Sequence, residues 1–220
     1  MSAIGAAAAS IEEAGHRPAS RERLTELAAR AGVGALFAVL TVNIGAEFLK
    51  TGHLTGLLLL LSELLVVAFT VVRRPAVAVD RSVAARVVTT ASIMSVPFIK
   101  PNGIPVLPDA TTVLISAAGL LVIITGKVTL GRSFGLIPAN RGIVCRGIYR
   151  VVRHPIYAGY LVTHVGFLLA HPTAWNVALL VIGDVALLMR AVREEQTLSL
   201  DAEYADYMTR VRWRVAPWVF

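Results

Sequence analysis

The feature that most constrains this chain is a series of apolar segments long enough to cross a lipid bilayer. Because a helix rises about 1.5 Å per residue, about 20 residues cover the roughly 30 Å of a hydrocarbon core. Four apolar segments come first, and two shorter ones follow after a basic loop. They cover residues 31–49, 54–72, 83–99, 111–130, 155–170 and 173–189. This pattern predicts an all-α, polytopic membrane helix bundle with about six crossings.

Composition agrees with a membrane location. Of the 220 residues, 56% are hydrophobic and only 16% are charged, whereas soluble domains average about 25% charged residues. The length fits one compact membrane domain better than two. The last two apolar segments are separated only by His171 and Pro172, so we predict that they form a C-terminal helical hairpin.

The positive charges predict an orientation. The net charge is +7, but the arginines lie at the ends of apolar segments rather than on a hydrophilic face, which argues against nucleic-acid binding. With six crossings and a cytoplasmic N-terminus, the outer side would carry only Lys50 and Lys100. Because cytoplasmic loops are enriched in Lys and Arg, we expect both termini to lie in the cytoplasm.

A short motif at the start of the hairpin contains candidate functional residues. Pro155 suits the first turn of a helix, where its missing N–H group costs nothing. His154 then lies at the helix N-terminus, which favours anions through its free N–H groups and its dipole. Arg153 adds a positive charge, and Gly159 would let a ligand or another backbone approach closely. The motif therefore predicts an anion-binding helix mouth.

The second candidate group is Glu194-Glu195, on a predicted cytoplasmic extension of the last helix. Measured from the hairpin apex at Pro172, His154 lies about 25 Å along one helix, and Glu194 lies only about 6 Å deeper on the other. The hairpin should therefore bring the N-terminus of its first helix, at His154, and both carboxylates close enough for one ligand to contact them all. An ion pair between Arg190 and Glu194 that simply braces the helix is an alternative interpretation.

A site with both charge signs suits S-adenosylmethionine, which carries a carboxylate, an ammonium group, a ribose diol and a sulfonium. Carboxylate side chains can hold the ammonium group or the diol, and the basic helix mouth can hold the carboxylate. The methyl group is already activated by the sulfonium, so the protein must chiefly align an acceptor and exclude water. The sequence therefore indicates a methyltransferase with its active site at the cytoplasmic face.

The same region resembles a known family. The residues that carry the resemblance are Leu130-Gly131-Arg132-Ser133-Phe134, Gly147-Ile148-Tyr149-Arg150, Val152-Arg153-His154-Pro155-Ile156-Tyr157-Ala158-Gly159, Glu194-Glu195, Tyr204 and Tyr207. Together they resemble the isoprenylcysteine carboxyl methyltransferase family, which is related to the phospholipid N-methyltransferases. The family usually has Gly-Pro-Tyr-Arg where this chain has Gly147-Ile148-Tyr149-Arg150. This departure borders the presumed acceptor side.

The resemblance implies a role for each matching residue. His154, Tyr157, Gly159 and Leu161 would border S-adenosylmethionine, and Glu194 and Glu195 would hold its polar groups. Arg153 would orient an anionic acceptor or the cofactor carboxylate, and it is the candidate catalytic residue. The acceptor would be a lipophilic or prenylated molecule, such as an isoprenylcysteine carboxylate, that enters from the membrane lipid.

These interpretations divide the chain into three parts. Residues 1–30 are predicted to be an N-terminal cytoplasmic segment, and residues 31–130 to form four transmembrane helices. Residues 131–220 would form a cofactor-binding loop, the helical hairpin and a cytoplasmic tail.

Two other functions remain open from the sequence. One is an NADPH-dependent membrane reductase of the sterol or steroid reductase type, and the other is a non-enzymatic membrane scaffold. A metal site is not expected, because the sequence has no Cys/His cluster and Cys145 is its only cysteine. The acceptor atom and the oligomeric state are left open.

Several ionisable residues lie within the predicted crossings, among them Glu63, His164 and Asp184. Such residues are costly in lipid and usually face the interior of the bundle. Because His164 and Asp184 lie at similar depths on the two arms of the hairpin, a structural polar pair between them is one interpretation, and a catalytic role is the other.

Overall fold

The computed structural model describes residues 54–80, 82–136 and 138–220, together with scattered positions between residues 31 and 49. The predicted cytoplasmic segment, residues 1–30, lies outside the described residues. Of the first predicted crossing, residues 31–49, only part is described, and the described positions are helical.

The described part of the chain is mostly helical. Its α-helices are α1 (Leu54–Val72), α2 (Val83–Met94), α3 (Asp109–Leu130), α4 (Pro155–Ala170), α5 (Ala174–Leu198) and α6 (Ala202–Arg210). Short 3-10 helices lie at Val96–Phe98, Gly131–Ser133 and Gly147–Arg150. Strands β1 (Ala78–Val79) and β2 (Ala139–Asn140) pair antiparallel, with Ala78 opposite Asn140. The prediction of an α-helical fold is thus confirmed.

Local sequence explains where the C-terminal helices begin. Pro155 occupies the first turn of α4, as predicted. At the start of α5, the side chain of Thr173 accepts a hydrogen bond from the Asn176 backbone N–H, and Asp201 caps α6 in the same way through Glu203. Helix α5 continues beyond the apolar segment through both glutamates, which confirms the predicted extension. Helix α6 was not predicted.

Among the residues that the structure describes, two helical segments are long and apolar enough to cross a bilayer: Asp109–Ser133 and Ala174–Leu198, each of 25 residues. The segments Leu57–Val72, Val83–Phe98 and Pro155–Ala170 are apolar but shorter. These lengths fit a membrane protein. The six crossings and the orientation of the termini stay predictions.

Helices α3 and α4 pack with their backbones in contact. A Cβ atom at Gly159 would lie 2.7 Å from the backbone oxygen of Gly119, and one at Gly119 would lie 2.7 Å from that of Gly159. About two turns further along α3 and one turn back along α4, a Cβ at Gly126 would lie 2.7 Å from Ile156 Cγ1. Small residues allow this close approach, which is typical of helix pairs in membranes. The position of α4 is therefore fixed by α3.

The other helices are held by fewer, more specific contacts. Lys127 of α3 is fully buried, and its ammonium group donates to both the side-chain oxygen (2.8 Å) and the backbone oxygen (3.1 Å) of Ser62 in α1. Helix α2 packs on α5, where a Cβ at Gly183 would clash with the Ser95 side chain. These contacts lie around the hairpin formed by α4 and α5. The site lies at the end of the hairpin opposite its apex at Pro172, which we call the inner end.

Candidate cofactor site

The hairpin of α4 and α5 is held together at three levels. Near the apex, the side-chain amide of Asn176 donates to the backbone oxygen of His171 (2.9 Å). Midway, His164 Nδ1 lies 2.6 Å from Asp184 Oδ1, which favours the interpretation as a polar pair. At the inner end, the Tyr157 hydroxyl donates to Glu194 Oε2 (2.7 Å). The two arms are therefore in register, as the sequence spacing predicted.

A pocket opens at this inner end. Its cavity volume is about 80 Å³, and the cavity opens to solvent. Its polar lining consists of Ser133, Arg141, Tyr149, Arg153, His154, Tyr157, Arg190, Glu194, Tyr204 and Tyr207. His154 and Glu194 both line the pocket, which confirms that the hairpin brings the helix mouth and the carboxylates together.

Glu195 lies at the centre of a cluster of positive groups. Its carboxylate is 2.9 Å from Arg153 Nε, 3.1 Å from His154 Nε2 and 2.8 Å from Arg214 Nε. Only 5% of Glu195 is exposed, and Arg153 and His154 are also buried. A buried carboxylate is tolerated only when neighbouring groups compensate its negative charge. Glu195 therefore links α5 to the start of α4 and to the C-terminal tail.

The C-terminal tail is hydrogen-bonded to the two residues that precede α4. The backbone N–H of Arg153 donates to Trp213 O (2.9 Å), and that of His154 donates to Arg214 O (2.7 Å). The guanidinium of Arg214 also lies 4.9 Å from the centre of the Phe220 ring. The tail is therefore part of the site's framework.

Glu194, next to Glu195 on the same helix, has different surroundings. It lines the pocket, and its partner is the Tyr157 hydroxyl. The Tyr157 ring is stacked on the His154 ring, with centroids 5.2 Å apart and planes 4° from parallel. The two stacked rings lie beside the Glu194 carboxylate. This carboxylate forms no ion pair with any described residue.

Two buried polar groups in the pocket lack partners in the described part of the chain. They are Arg190 Nε and the Tyr204 hydroxyl. Arg190 is 6% exposed, and its guanidinium lies 5.4 Å from the centre of the Tyr157 ring. The alternative interpretation of an Arg190–Glu194 brace is wrong, because no ion pair joins these described residues. Buried polar groups without partners are costly, and a bound ligand is one arrangement that would satisfy them.

The tyrosines around the pocket are hydrogen-bond donors at neutral pH. Burial, together with the negative charges of Glu195 and Glu194, raises the pKa of Tyr204 far above its usual value. Burial likewise raises the pKa values of Tyr149 and Tyr207. The Tyr207 hydroxyl donates to the backbone oxygen of Tyr149 (2.6 Å), whereas the Tyr204 hydroxyl has no partner among the described residues.

Gly159 and Leu161 lie apart from this pocket. Gly159 faces Gly119 and Ile123 of α3, so its small size serves the approach of another backbone, one of the two possibilities given by the sequence. Leu161 is half-buried and packs beside the central apolar core. That these two residues border a cofactor stays a prediction.

Sequence reasoning missed two contributors to the site. Arg190 was seen only as a helix brace, although its position four residues before Glu194 on α5 indicated the same face of the helix. Arg214 carried no signal in the sequence, because its contact with Glu195 joins residues that only the fold brings together.

The part of the chain that contains the pocket is similar to known proteins. Residues 109–204 match the phospholipid methyltransferase family model; this range covers α3 to the start of α6 and contains most of the pocket. The chain is also similar to Protein-S-isoprenylcysteine O-methyltransferase A of Arabidopsis thaliana, with 42% identity over 64 residues. The match covers 24% of this chain and 32% of that relative, so it spans about a third of the relative's length. Both matches are to methyltransferases, which confirms the resemblance predicted from the sequence.

Proposed function

We propose that this protein is an integral membrane methyltransferase that uses S-adenosylmethionine and acts on a lipophilic acceptor. The observation that carries the proposal is that one pocket contains both the Glu194 carboxylate and the Arg190 guanidinium, whose buried Nε has no hydrogen-bond partner among the described residues. A ligand with both an ammonium group and a carboxylate would satisfy both side chains. The pocket also lies almost wholly within the region that matches methyltransferases.

The residues in the pocket fit this cofactor. Glu194 would hold the ammonium group, Arg190 the carboxylate, and the Tyr204 hydroxyl would donate to a ribose oxygen. The stacked rings of His154 and Tyr157 offer a flat surface to the rest of the molecule. When bound, S-adenosylmethionine would supply a methyl group already activated by its sulfonium.

Glu195 has a different role in this proposal from the one that the resemblance implied. Because its carboxylate is surrounded by Arg153, His154 and Arg214, it would hold the pocket wall rather than the cofactor. Arg153 lines the pocket and stays the candidate for orienting the acceptor. Its pairing with Glu195 fixes the guanidinium in place, which suits a positioning role.

The chemistry requires little from the protein besides alignment. The acceptor's lone pair would form a bond to the methyl carbon as the carbon–sulfur bond breaks, and the electron pair would leave with sulfur. The pocket would hold the acceptor in line with this bond and exclude water. A carboxylate acceptor needs no general base, whereas an amine or thiol would first have to lose a proton.

The charges of the pocket favour an anionic acceptor. Three arginines and a histidine line it, against the single carboxylate of Glu194 among its described residues: Arg141, Arg153, Arg190 and His154. When the Glu195 carboxylate that pairs with Arg153 is counted as well, the three arginines still exceed the two carboxylates by one positive charge. The isoprenylcysteine methyltransferase similarity makes a prenylated carboxylate the first acceptor to test.

The membrane arrangement belongs to the same proposal. We expect a multi-pass protein with both termini and the pocket on the cytoplasmic side, because the arginines of the loop and tail collect at the inner end of the hairpin. Labelling Cys145, the only cysteine, with a membrane-impermeant reagent in inverted and right-side-out vesicles would test the side. Labelling only in right-side-out vesicles would contradict this orientation.

Calorimetric titration of the purified protein tests the cofactor. S-adenosylmethionine should bind and NADPH should not, and the variants Glu194→Gln and Arg190→Met should each weaken binding at least about tenfold. The matched control is Arg146→Met, since Arg146 is an exposed arginine outside the pocket. Wild-type affinity in both pocket variants would remove the assignment, and preferential NADPH binding would favour the reductase interpretation.

The acceptor can be found with labelled S-adenosylmethionine. A prenylcysteine, phosphatidylethanolamine and a small lipophilic thiol represent oxygen, nitrogen and sulfur acceptors. Transfer to the prenylcysteine is expected, because its carboxylate suits the positive pocket. Transfer only to phosphatidylethanolamine would retain the enzyme class and contradict the anionic acceptor.

A further inference from the structure

A shallow groove on the C-terminal tail combines arginines with tryptophans, outside the cofactor site. We call it the tail patch and define it by Arg150, Val151, Arg210, Arg212, Trp213 and Trp218, which line one groove. We propose that the tail patch binds the phosphate groups of anionic phospholipids and so docks the tail on the membrane surface.

The charges of the tail patch are available to a ligand. Arg210 is paired with Asp206 (2.8 Å), but Arg150 and Arg212 are exposed and have no ion pair within the described ranges of the chain. Among the described residues that line the groove, none is acidic. Two exposed arginines in one groove suit a phosphate, which accepts paired hydrogen bonds from arginine.

The apolar members of the tail patch are unusually exposed for their size. Trp218 is 83% exposed and Val151 is 58% exposed. The Trp213 and Trp218 rings lie 5.9 Å apart, so the two indoles form one surface. Tryptophan is enriched where membranes meet water, since its ring is apolar and its N–H group is polar. The combination of arginine and tryptophan therefore indicates that the tail patch contacts lipid headgroups rather than water alone.

The turn that presents Trp218 is firmly held. Trp218 has a positive φ of 64°, which is unfavourable for a bulky side chain. The turn is closed by backbone hydrogen bonds from Arg214 and Val215 to Phe220 O, both 2.9 Å. The surrounding structure thus keeps a large apolar side chain pointing outward at an energetic cost, which is typical of functional positions.

The position of the tail patch next to the start of α4 also fits contact with the membrane surface. Arg150 and Val151 come directly before α4, which begins at Pro155 and is apolar along its length. If α4 enters the bilayer, the patch lies level with the lipid headgroups. This argument rests on the membrane location proposed above, but it does not depend on methyl transfer.

Lipid retention by the full chain tests the proposal. The protein in detergent micelles is supplied with phosphatidylglycerol or phosphatidylcholine, and retained lipid is counted by native mass spectrometry. Each basic residue near an anionic surface contributes a factor of about five in affinity, so the double variant Arg150→Gln/Arg212→Gln should weaken phosphatidylglycerol retention about 25-fold. Arg146→Gln, the same change at an exposed arginine outside the patch, should leave retention unchanged.

Further variants separate the possible results. The double variant Arg150→Lys/Arg212→Lys keeps the charge and should retain most of the lipid, and Trp218→Ala should weaken retention of both lipids. Equal retention of the two lipids by the wild type would overturn the proposal, as would displacement of phosphatidylglycerol by millimolar inorganic phosphate. S-adenosylmethionine binding is measured on the same preparations, so a failure of the cofactor site is seen separately.

Discussion

Helix α4 meets its two neighbours in opposite ways. Toward α3 it presents glycines, and the two backbones touch along a dry interface. Toward α5 it presents polar side chains: Tyr157 reaches Glu194 and His164 reaches Asp184. The dry face fixes where α4 lies, and the polar face is left free to form a pocket. The comparison teaches that rigidity and chemistry are divided between opposite faces of one helix.

The largest expected effect comes from the ion cluster that closes the polar face. Glu195→Gln would leave the buried Arg153 guanidinium without its carboxylate, so we expect the free energy of unfolding to fall by about 3 kcal/mol. Thermal unfolding in detergent measures it. Glu203→Gln, the same change at an exposed glutamate of α6, serves as the control and should change stability little. Equal stability of the two variants would show that the cluster is not structural.

A single methyl group on the dry face should have the next largest effect. Gly159→Ala places a Cβ atom 2.7 Å from Gly119 O, so the helices must separate, at a cost of about 2 kcal/mol. In Gly34→Ala the new Cβ meets nothing within 4 Å, and stability should be unchanged or slightly higher. If both variants unfold at the wild-type temperature, α3 and α4 do not pack as tightly as described.

Glu194→Gln tests the polar face without disturbing the framework. The variant should lower S-adenosylmethionine affinity by about tenfold, because it removes a charge-assisted contact, while the unfolding temperature stays near that of the wild type. Calorimetry and thermal unfolding of one preparation give both values. A large loss of stability, equal to that of Glu195→Gln, would mean that the neighbouring glutamates share one structural role.

The smallest effect is expected at Tyr157→Phe. The change keeps the ring that stacks on His154 and removes only the hydroxyl that donates to Glu194, so stability should fall by about 1 kcal/mol. Because Glu194 becomes freer to move, cofactor affinity should also fall, by less than in Glu194→Gln. An affinity loss larger than that of Glu194→Gln would place the hydroxyl itself in contact with the cofactor.

Much of the helical framework could be predicted from the sequence. Helix α1 covers the predicted range, residues 54–72, and α4 begins at Pro155 as expected. The reason is local: apolar length, a proline in the first turn and a turn at His171 are properties of neighbouring residues. The meeting of His154 with Glu194 also followed from spacing, since two helices joined by a short turn must return to the same depth.

The tertiary structure alone decided how the two glutamates divide their roles. They are adjacent on α5, so their side chains point about 100° apart, and the rotation of α5 determines which one faces the pocket. That rotation depends on packing against α2, where Gly183 meets Ser95. The partner of Glu195 at Arg214 likewise comes from the distant tail. Local sequence fixes the length and ends of a helix, whereas long-range packing fixes its rotation, and with it the chemistry of each residue.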